Sequence, residues 1–296
     1  MEKENNATRE KVTIQYLLKK TNSGEPITML SCYDYPSAYF MEQAGIEIVS
    51  VGDSLGMTIL GYTSTLPVTV DVMIPHVQAV RKGTPNAWLI GDMPFMSYHP
   101  SVETAIRNAG RFMAEGGCDG VKLEGGSEML PQIEGIVRSG IPVMGHLGLK
   151  PQSASAQGGF RLQGKTSNQA KKIIDDAKAL EDVGCMGILL EMVPDRVCQL
   201  ITQNASIPII SLGSGPFAHG QLLIYHDMFG LYPRFRPKMA KVFGNAGQVI
   251  CDGLKDFVGQ VKNRQFPEPC NCFGISDTQY DELLALLSED KVKAVK

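Results

Sequence analysis

Six short apolar runs in this chain end in an acid, a base or a histidine: Ile48–Asp53, Trp88–Asp92, Gly120–Glu124, Val143–His146, Gly187–Glu191 and Leu222–Asp227. A strand buried on both faces needs uninterrupted apolar residues, and a charged group at its carboxyl end falls where parallel α/β folds open to ligand. Lys122 and Glu124 are two apart, so on a strand they share the face that looks along a barrel axis. Taken alone, a buried ammonium beside a carboxylate is equally readable as a structural ion pair. Asp53 and Asp92 end two earlier runs and approach Glu124 at the same rim. Three carboxylates that close cannot all stay ionised without a counterion, and a divalent cation resolves the conflict. Oxygen-only ligands favour Mg²⁺, which keeps positions open for water or substrate oxygens.

Glu191 follows Ile188-Leu189-Leu190 and precedes Met192-Val193-Pro194, a setting apolar enough to raise a carboxyl pKa and suit it to accepting a proton. His146 is placed to hydrogen-bond substrate or Glu191, against the equal expectation of a satisfied structural histidine. Ser54 sits in Gly52-Asp53-Ser54-Leu55-Gly56, where flanking glycines let backbone amides approach a carboxylate. The competing reading of each aspartate is a helix cap, and of the glycine segment an ordinary turn. His76, His99, His219 and His226 lack metal-ligand spacing. Walker, Gly-x-Ser-x-Gly and His-Glu-x-x-His patterns are missing, which removes support for nucleotide hydrolysis, serine hydrolysis and zinc proteolysis.

Positioning such groups takes a repeating scaffold. Adding Ile27–Cys32 and Ile207–Leu212 to the six runs gives eight strands, the number a closed (β/α)8 barrel requires. Helix patterns lie between them. After Ser167 the residues Ala170, Ile173, Ile174, Ala177 and Leu180 recur at helical spacing, with Lys171, Lys172, Asp175 and Asp176 opposite and Gly184 as the stop. Ser101 opens another helix that stops at Gly116-Gly117, and Pro194 begins a third. The rival architecture, a doubly wound open sheet, would carry Gly-x-Gly-x-x-Gly after its first strand, where this chain has Tyr33-Asp34-Tyr35-Pro36. Residues 150–166 show no periodicity and exceed an ordinary loop, which suits a lid over the strand ends. From Asp277, Tyr280, Leu283, Leu284 and Leu287 follow helical spacing and would pack on the barrel or on a neighbouring subunit. The expected organisation is one barrel domain over 1–296, with a short N-terminal helix and a C-terminal helical tail.

A net charge of -3 and a pI near 6.0 offer no bulk attraction to nucleic acid, so small molecules are the expected partners. Seven cysteines without a Cys-x-x-Cys pair fit reduced packing residues of a cytoplasmic protein. No apolar run is long enough to span a membrane, and the opening Met1–Asn6 lacks the apolar core of a secretion signal.

Several stretches together resemble the ketopantoate hydroxymethyltransferase family, barrel enzymes of the phosphoenolpyruvate/pyruvate-like superfamily. They are Ser31-Cys32-Tyr33-Asp34-Tyr35, Val51-Gly52-Asp53-Ser54-Leu55-Gly56-Met57, Ser64–Val70, Asp92-Met93-Pro94-Phe95-Met96, Val121-Lys122-Leu123-Glu124-Gly125-Gly126, Gly145-His146-Leu147-Gly148-Leu149, Pro151-Gln152-Ser153 and Leu190-Glu191-Met192-Val193-Pro194. The resemblance implies that Asp53, Asp92 and Glu124 hold Mg²⁺, that Asp53, Ser54, Asp92 and Lys122 contact a 2-oxo acid, and that Glu191 is the proton acceptor. It further implies one-carbon transfer from 5,10-methylenetetrahydrofolate to 3-methyl-2-oxobutanoate, in a homo-oligomer, often a decamer. The chemistry agrees: a metal on the keto oxygen and carboxylate acidifies the neighbouring C3–H, and Lys122 adds positive charge where the enolate forms.

The chain departs from the family's pattern at Ser211-Leu212-Gly213-Ser214-Gly215, at His219-Gly220-Gln221, at Lys150 and at Cys270-Asn271-Cys272-Phe273. These departures bear on folate handling, on the rim near the last strands and on assembly. Two other readings compete. A lyase or mutase of the same barrel group would typically carry a Lys-Lys-Cys-Gly-His loop, which does not occur here. A silent barrel would keep the metal and oxo-acid pocket without turnover.

Overall fold

In the computed structural model, residues 9–293 are described, with side chains through 288. The Met1–Asn6 opening lies outside the described residues. The chain divides into two compact units, Met1–Gly244 and Asn245–Lys296.

In the first unit, α1 (Ile14–Ser23) precedes β1 (Ile27–Ser31), and strands and helices then alternate. They are α2 (Tyr35–Gln43), β2 (Ile48–Val51), α3 (Leu55–Thr58), α4 (Val70–Gly83), β3 (Trp88–Asp92), α5 (Val102–Ala114), β4 (Gly120–Glu124), α6 (Leu130–Arg138), β5 (Val143–Gly148), α7 (Ser167–Asp182), β6 (Gly187–Glu191), α8 (Asp195–Asn204), β7 (Ile209–Leu212), β8 (Gly220–Leu223) and α9 (Tyr225–Met228). All neighbouring strands pair in parallel, and β8 returns to β1 with Ile27 opposite Gly220, so the sheet closes as an eight-stranded barrel. The expected (β/α)8 fold is the observed one.

Several strand boundaries differ from the expected runs, and at β7 and β8 the cause is local. Pro208 has no N–H to give a ladder, and β7 begins at Ile209, with the Pro208 carbonyl accepting from Ile188 N at 2.9 Å. The last apolar run stops being a strand at Leu223. Ile224 O accepts from Asp227 N (3.0 Å) and Met228 N (3.1 Å), turning His226 and Asp227 into a single helical turn.

The closed sheet separates two cores. Val49, Val51, Leu89, Val121, Leu123 and Leu190 face outward and pack under the helices, α5 supplying Ala105, Ala109 and Phe112. Ile27, Met29, Ile48, Trp88, Ile90 and Met144 face inward, and Leu17 of α1 joins them. Ser101 caps α5, its Oγ accepting from Thr104 N at 3.1 Å. Thr166 and Gln169 form a capping box at the start of α7. On α7 the sequence places Asp176 with the solvent face, but it is buried. Its carboxylate accepts from Ser127 N (3.0 Å) and Lys172 Nζ (2.5 Å), packed where a Cβ on Gly126 would come 2.4 Å from its carboxyl carbon.

The second unit contains α10 (Ala246–Lys262) and α11 (Asp277–Lys293), the latter starting where the Tyr280–Leu287 periodicity predicts. Cys251, Cys270 and Cys272 are exposed free thiols. Cys32, Cys118, Cys185 and Cys198 are buried packing residues, burial pushing the Cys32 and Cys185 thiols up to about 12.

Candidate active site

Alternation along each strand sends every second side chain to the axis, and near the carboxyl ends those side chains change from apolar to polar. Trp88 and Ile90 are followed by Asp92, Ile48 by Ser50, Met144 by His146 and Leu189 by Glu191, while β4 presents Lys122 and Glu124. Asp53 and Ser54 arrive from the turn after β2. All of these chemical groups line one pocket at the carboxyl end of the barrel, about 850 Å³ with its open mouth included. Pro151 and Phe160 reach the same pocket from the 150–166 segment expected to cover the strand ends.

Lys122 is buried, and its Nζ lies 2.9 Å from Asp92 Oδ2. Burial works against its charge, yet Asp92, Asp53 and Glu124 together hold its pKa above the ordinary lysine value. Asp92 also accepts from Ser50 Oγ at 3.2 Å. Burial, followed by the charge of Asp92, pushes Asp53 up to about 6. Glu124 is driven well above its usual range by burial, then by Asp53. One ammonium among so many carboxylates leaves an excess of negative charge in a dry site.

Gln152 gathers two of these acids. Its Nε2 donates to Asp53 Oδ2 (2.8 Å), its backbone N donates to Glu124 Oε2 (3.1 Å), and its Oε1 accepts from the Tyr98 hydroxyl (2.9 Å). Ser54 Oγ is 2.7 Å from the Tyr33 hydroxyl, and a Cβ on Gly52 would meet Ser54 Oγ at 2.8 Å, so a side chain there would displace that hydroxyl.

Glu191 is buried, and that burial, partly offset by Lys122, raises it to about 8. His146 Nε2 is 3.1 Å from Glu191 Oε2 but out of line for a formed hydrogen bond, leaving Nε2 without a partner. Burial and then the Lys122 charge depress the imidazole well below its ordinary pKa, so the ring is neutral. Lys122 Nζ lies 3.4 Å from Nδ1. An ammonium can only donate, which puts the lone pair on Nδ1 and the ring proton on Nε2, facing Glu191. The backbone past Glu191 is held by Ser214, whose Oγ donates to Leu190 O (2.8 Å) and accepts from Val193 N (3.0 Å). Met192 between them has φ 46°, a left-handed conformation that a side chain accepts only under constraint.

Seven expected site residues, Asp53, Ser54, Asp92, Lys122, Glu124, His146 and Glu191, therefore share one cavity. The expected ligand trio is less tightly drawn: among the described residues no three His, Cys, Asp or Glu side chains are gathered closely enough to hold an ion as they stand. Mg²⁺ usually takes one or two carboxylates and completes its shell with water and substrate oxygens, so a preformed cage is not required. Hard oxygen donors at Asp53, Asp92 and Glu124, three carboxylates around a single ammonium, fit that ion. Tyr33, Tyr98, Gln152 and Asp227 received no role from the sequence, although Tyr33, Gln152 and Asp227 stood in stretches already singled out.

The remaining histidines have structural settings. His76 Nδ1 lies 2.6 Å from Tyr33 O, His99 Nδ1 accepts from Met96 N (3.2 Å), and His226 packs on Tyr33. His219 Nδ1 accepts from Ile209 N at 3.1 Å, at the amino ends of β7 and β8, so this departure lies away from the rim. Lys150, another departure, pairs with Glu128 at 2.7 Å.

The sequence profile of the family described as ketopantoate hydroxymethyltransferase matches residues 11–269. The chain belongs to that family. Among relatives of the family, the 3-methyl-2-oxobutanoate hydroxymethyltransferase of Carboxydothermus hydrogenoformans is 48% identical over 264 residues, 89% of this chain and 96% of the relative. Solved structures of other enzymes share the family's barrel. A phosphonopyruvate hydrolase in complex with oxalate and Mg²⁺ aligns with TM-score 0.55 at 12% identity, over 95% of this chain and 97% of that one. A 2,3-dimethylmalate lyase of the PEP mutase/isocitrate lyase superfamily gives 0.55 at 13%, with the same coverage. At such identities the likeness is one of fold. No helix among the described residues is long and apolar enough to cross a membrane.

Proposed function

We propose that this chain transfers the methylene carbon of 5,10-methylenetetrahydrofolate to C3 of 3-methyl-2-oxobutanoate as a hydroxymethyl group, one water supplying the hydroxyl, to give 2-dehydropantoate and tetrahydrofolate in pantothenate synthesis. The observation that carries the reading is the close succession of Lys122, His146 and Glu191 in a pocket shared with Asp53, Asp92 and Glu124.

Asp53, Asp92 and Glu124 would hold Mg²⁺, which when bound supplies Lewis acidity toward the keto and carboxylate oxygens of the oxo acid. Ser54 and Lys122 bind those oxygens from the protein side. As the proton leaves C3, negative charge collects on the keto oxygen, and the Lys122 ammonium stabilises it more strongly there than in the ground state. Glu191 takes the C3 proton. Its raised pKa makes it a stronger base than an exposed carboxylate while leaving a working fraction of it ionised near neutral pH. His146, neutral and carrying its proton on Nε2 at 3.1 Å from Glu191 Oε2, would orient that carboxylate once the two come into line. Phe160 and Pro151 limit water at the carbon nucleophile. The reading extends to a cytoplasmic homo-oligomer, a decamer by family resemblance, which sedimentation velocity tests.

Incubation with 3-methyl-2-oxobutanoate and Mg²⁺ in D₂O, followed by NMR of the C3 proton, is the direct test. Exchange is expected, falling by about 10²- to 10⁴-fold in Glu191→Gln. Binding of the oxo acid and metal without exchange would favour a silent pocket instead.

A further inference from the structure

The pocket contains one acid that the transfer chemistry leaves unused. Asp227 lies on α9, just after β8, is 8% exposed and lines the same cavity as Glu191. The other acids have neighbours that answer their charge: Lys122 and Ser50 at Asp92, the amide of Gln152 at Asp53, its backbone N–H at Glu124, and His146 beside Glu191. No hydrogen bond or ion pair of the described side chains reaches the Asp227 carboxylate, and burial alone pushes it up to about 6. Its oxygens are not sealed off from the cavity, so donors of a ligand that enters can reach them and take the place of water.

The two substrates differ in what they can supply. The oxo acid is an anion whose oxygens only accept, so Asp227 would repel it. The 2-amino-4-oxopyrimidine ring of the folate presents two parallel donors, N3–H and the 2-amino group, and a carboxylate accepts such a pair through both oxygens. The cavity that Asp227 lines also presents an apolar and partly aromatic set, Met57, Ile224, Tyr232 and Met239. That set suits the faces of a flat ring. We infer that Asp227 recognises the folate's pyrimidine edge while this set takes its faces. The inference rests on the transfer reaction proposed above and adds the residue that selects its one-carbon donor.

The test compares dissociation constants of tetrahydrofolate and its 2-desamino analogue, measured anaerobically by calorimetry with the wild-type chain, Asp227→Asn and Asp227→Glu. The wild type is expected to prefer tetrahydrofolate by more than about tenfold, because the analogue leaves a carboxylate oxygen unpaired. Asp227→Asn should bring the ratio near one, and Asp227→Glu should restore part of it. Equal affinity of the wild type for both ligands, or undiminished preference in Asp227→Asn, overturns the assignment while leaving the transferase reading intact. If the wild type binds neither folate, the transferase reading falls with it. The wild-type comparison decides even where a variant fails to fold.

Discussion

The two sides of the pocket are built from the same kind of strand but stabilise different things. From β2 to β6 the inward residues at the rim are Ser50, Asp92, Lys122, Glu124, His146 and Glu191, whereas β7 and β8 present Leu212 and Leu222, continued by Ile224. The polar arc is made of buried acids whose pKa values are raised first by burial and then by one another's charge, as at Asp53, Glu124 and Glu191. The apolar arc carries no such conflict. Charge development during proton transfer needs the first, and a flat ring held beside it needs the second. The largest effects should therefore come from the polar side.

Replacing Lys122 by Met removes the one ammonium from that arc. C3 exchange is expected to fall by about 10²- to 10³-fold, the usual loss when a charge-stabilising donor is removed. The variant also leaves Asp92 buried without its partner at 2.9 Å, a change on the order of 3–5 kcal/mol when a buried pair is broken. Denaturant titration measures that part separately. Unchanged exchange would show that the polar arc works without Lys122.

Gln152→Met keeps side-chain volume and loses the amide that holds Asp53. Groups that orient ligand side chains typically contribute about 10- to 100-fold in metal affinity, so Mn²⁺ binding followed by EPR should weaken by that range. Retained affinity would mean that the acids hold their places unaided. Gln152 also shows what the sequence does not reveal. The facing of Lys122 and Glu124 follows from a period of two, and the shared rim follows from where each apolar run ends, so both could be read directly. Gln152 belongs to an aperiodic segment, and its partners are 99 residues away at Asp53 and 28 away at Glu124. No local pattern encodes that closure. Asp227 was hidden for another reason: its run reads as a strand until Ile224 turns the chain into helix. The tautomer of His146 likewise depends on Lys122 reaching across neighbouring strands. The looser drawing of the three carboxylates is a matter of side-chain placement, which strand ends do not set.

The raised acids make stability depend on pH with a definite sign. Asp53 titrates near 6 and Glu191 near 8 in the folded chain, above the unfolded carboxyl range, so the folded state binds the extra protons between about pH 4 and 8. Metal-free protein should therefore lose stability as pH rises through that window. Each tenfold difference in proton affinity between the folded and unfolded chain corresponds to about 1.4 kcal/mol, or roughly 2–4 °C in Tm for a domain of this size. Mg²⁺ should raise Tm more at pH 8 than at pH 5, because it competes with those protons. Scanning calorimetry with EDTA and with Mg²⁺ checks both, and a Tm independent of pH in EDTA would mean the polar arc is less strained than its burial implies.

The smallest effect belongs to the apolar arc. Met239 lies against the turn after β7, where a Cβ on Gly213 would meet its sulfur at 2.3 Å, and it lines the pocket near Ile224. Met239→Ala removes contact area without touching a charge. Side-chain truncation at a partly solvated wall should raise the KM for 5,10-methylenetetrahydrofolate by about three- to tenfold, at or just below the low end of the ~1–3 kcal/mol that small apolar changes alter in a binding pocket. The loss should fall on the folate KM rather than on C3 exchange, since the oxo acid is held by the opposite side. Steady-state kinetics alongside the exchange assay separates the two. An equal loss in both would mean that the apolar arc also positions the carbon acid, and the division of labour between the arcs would have to be withdrawn.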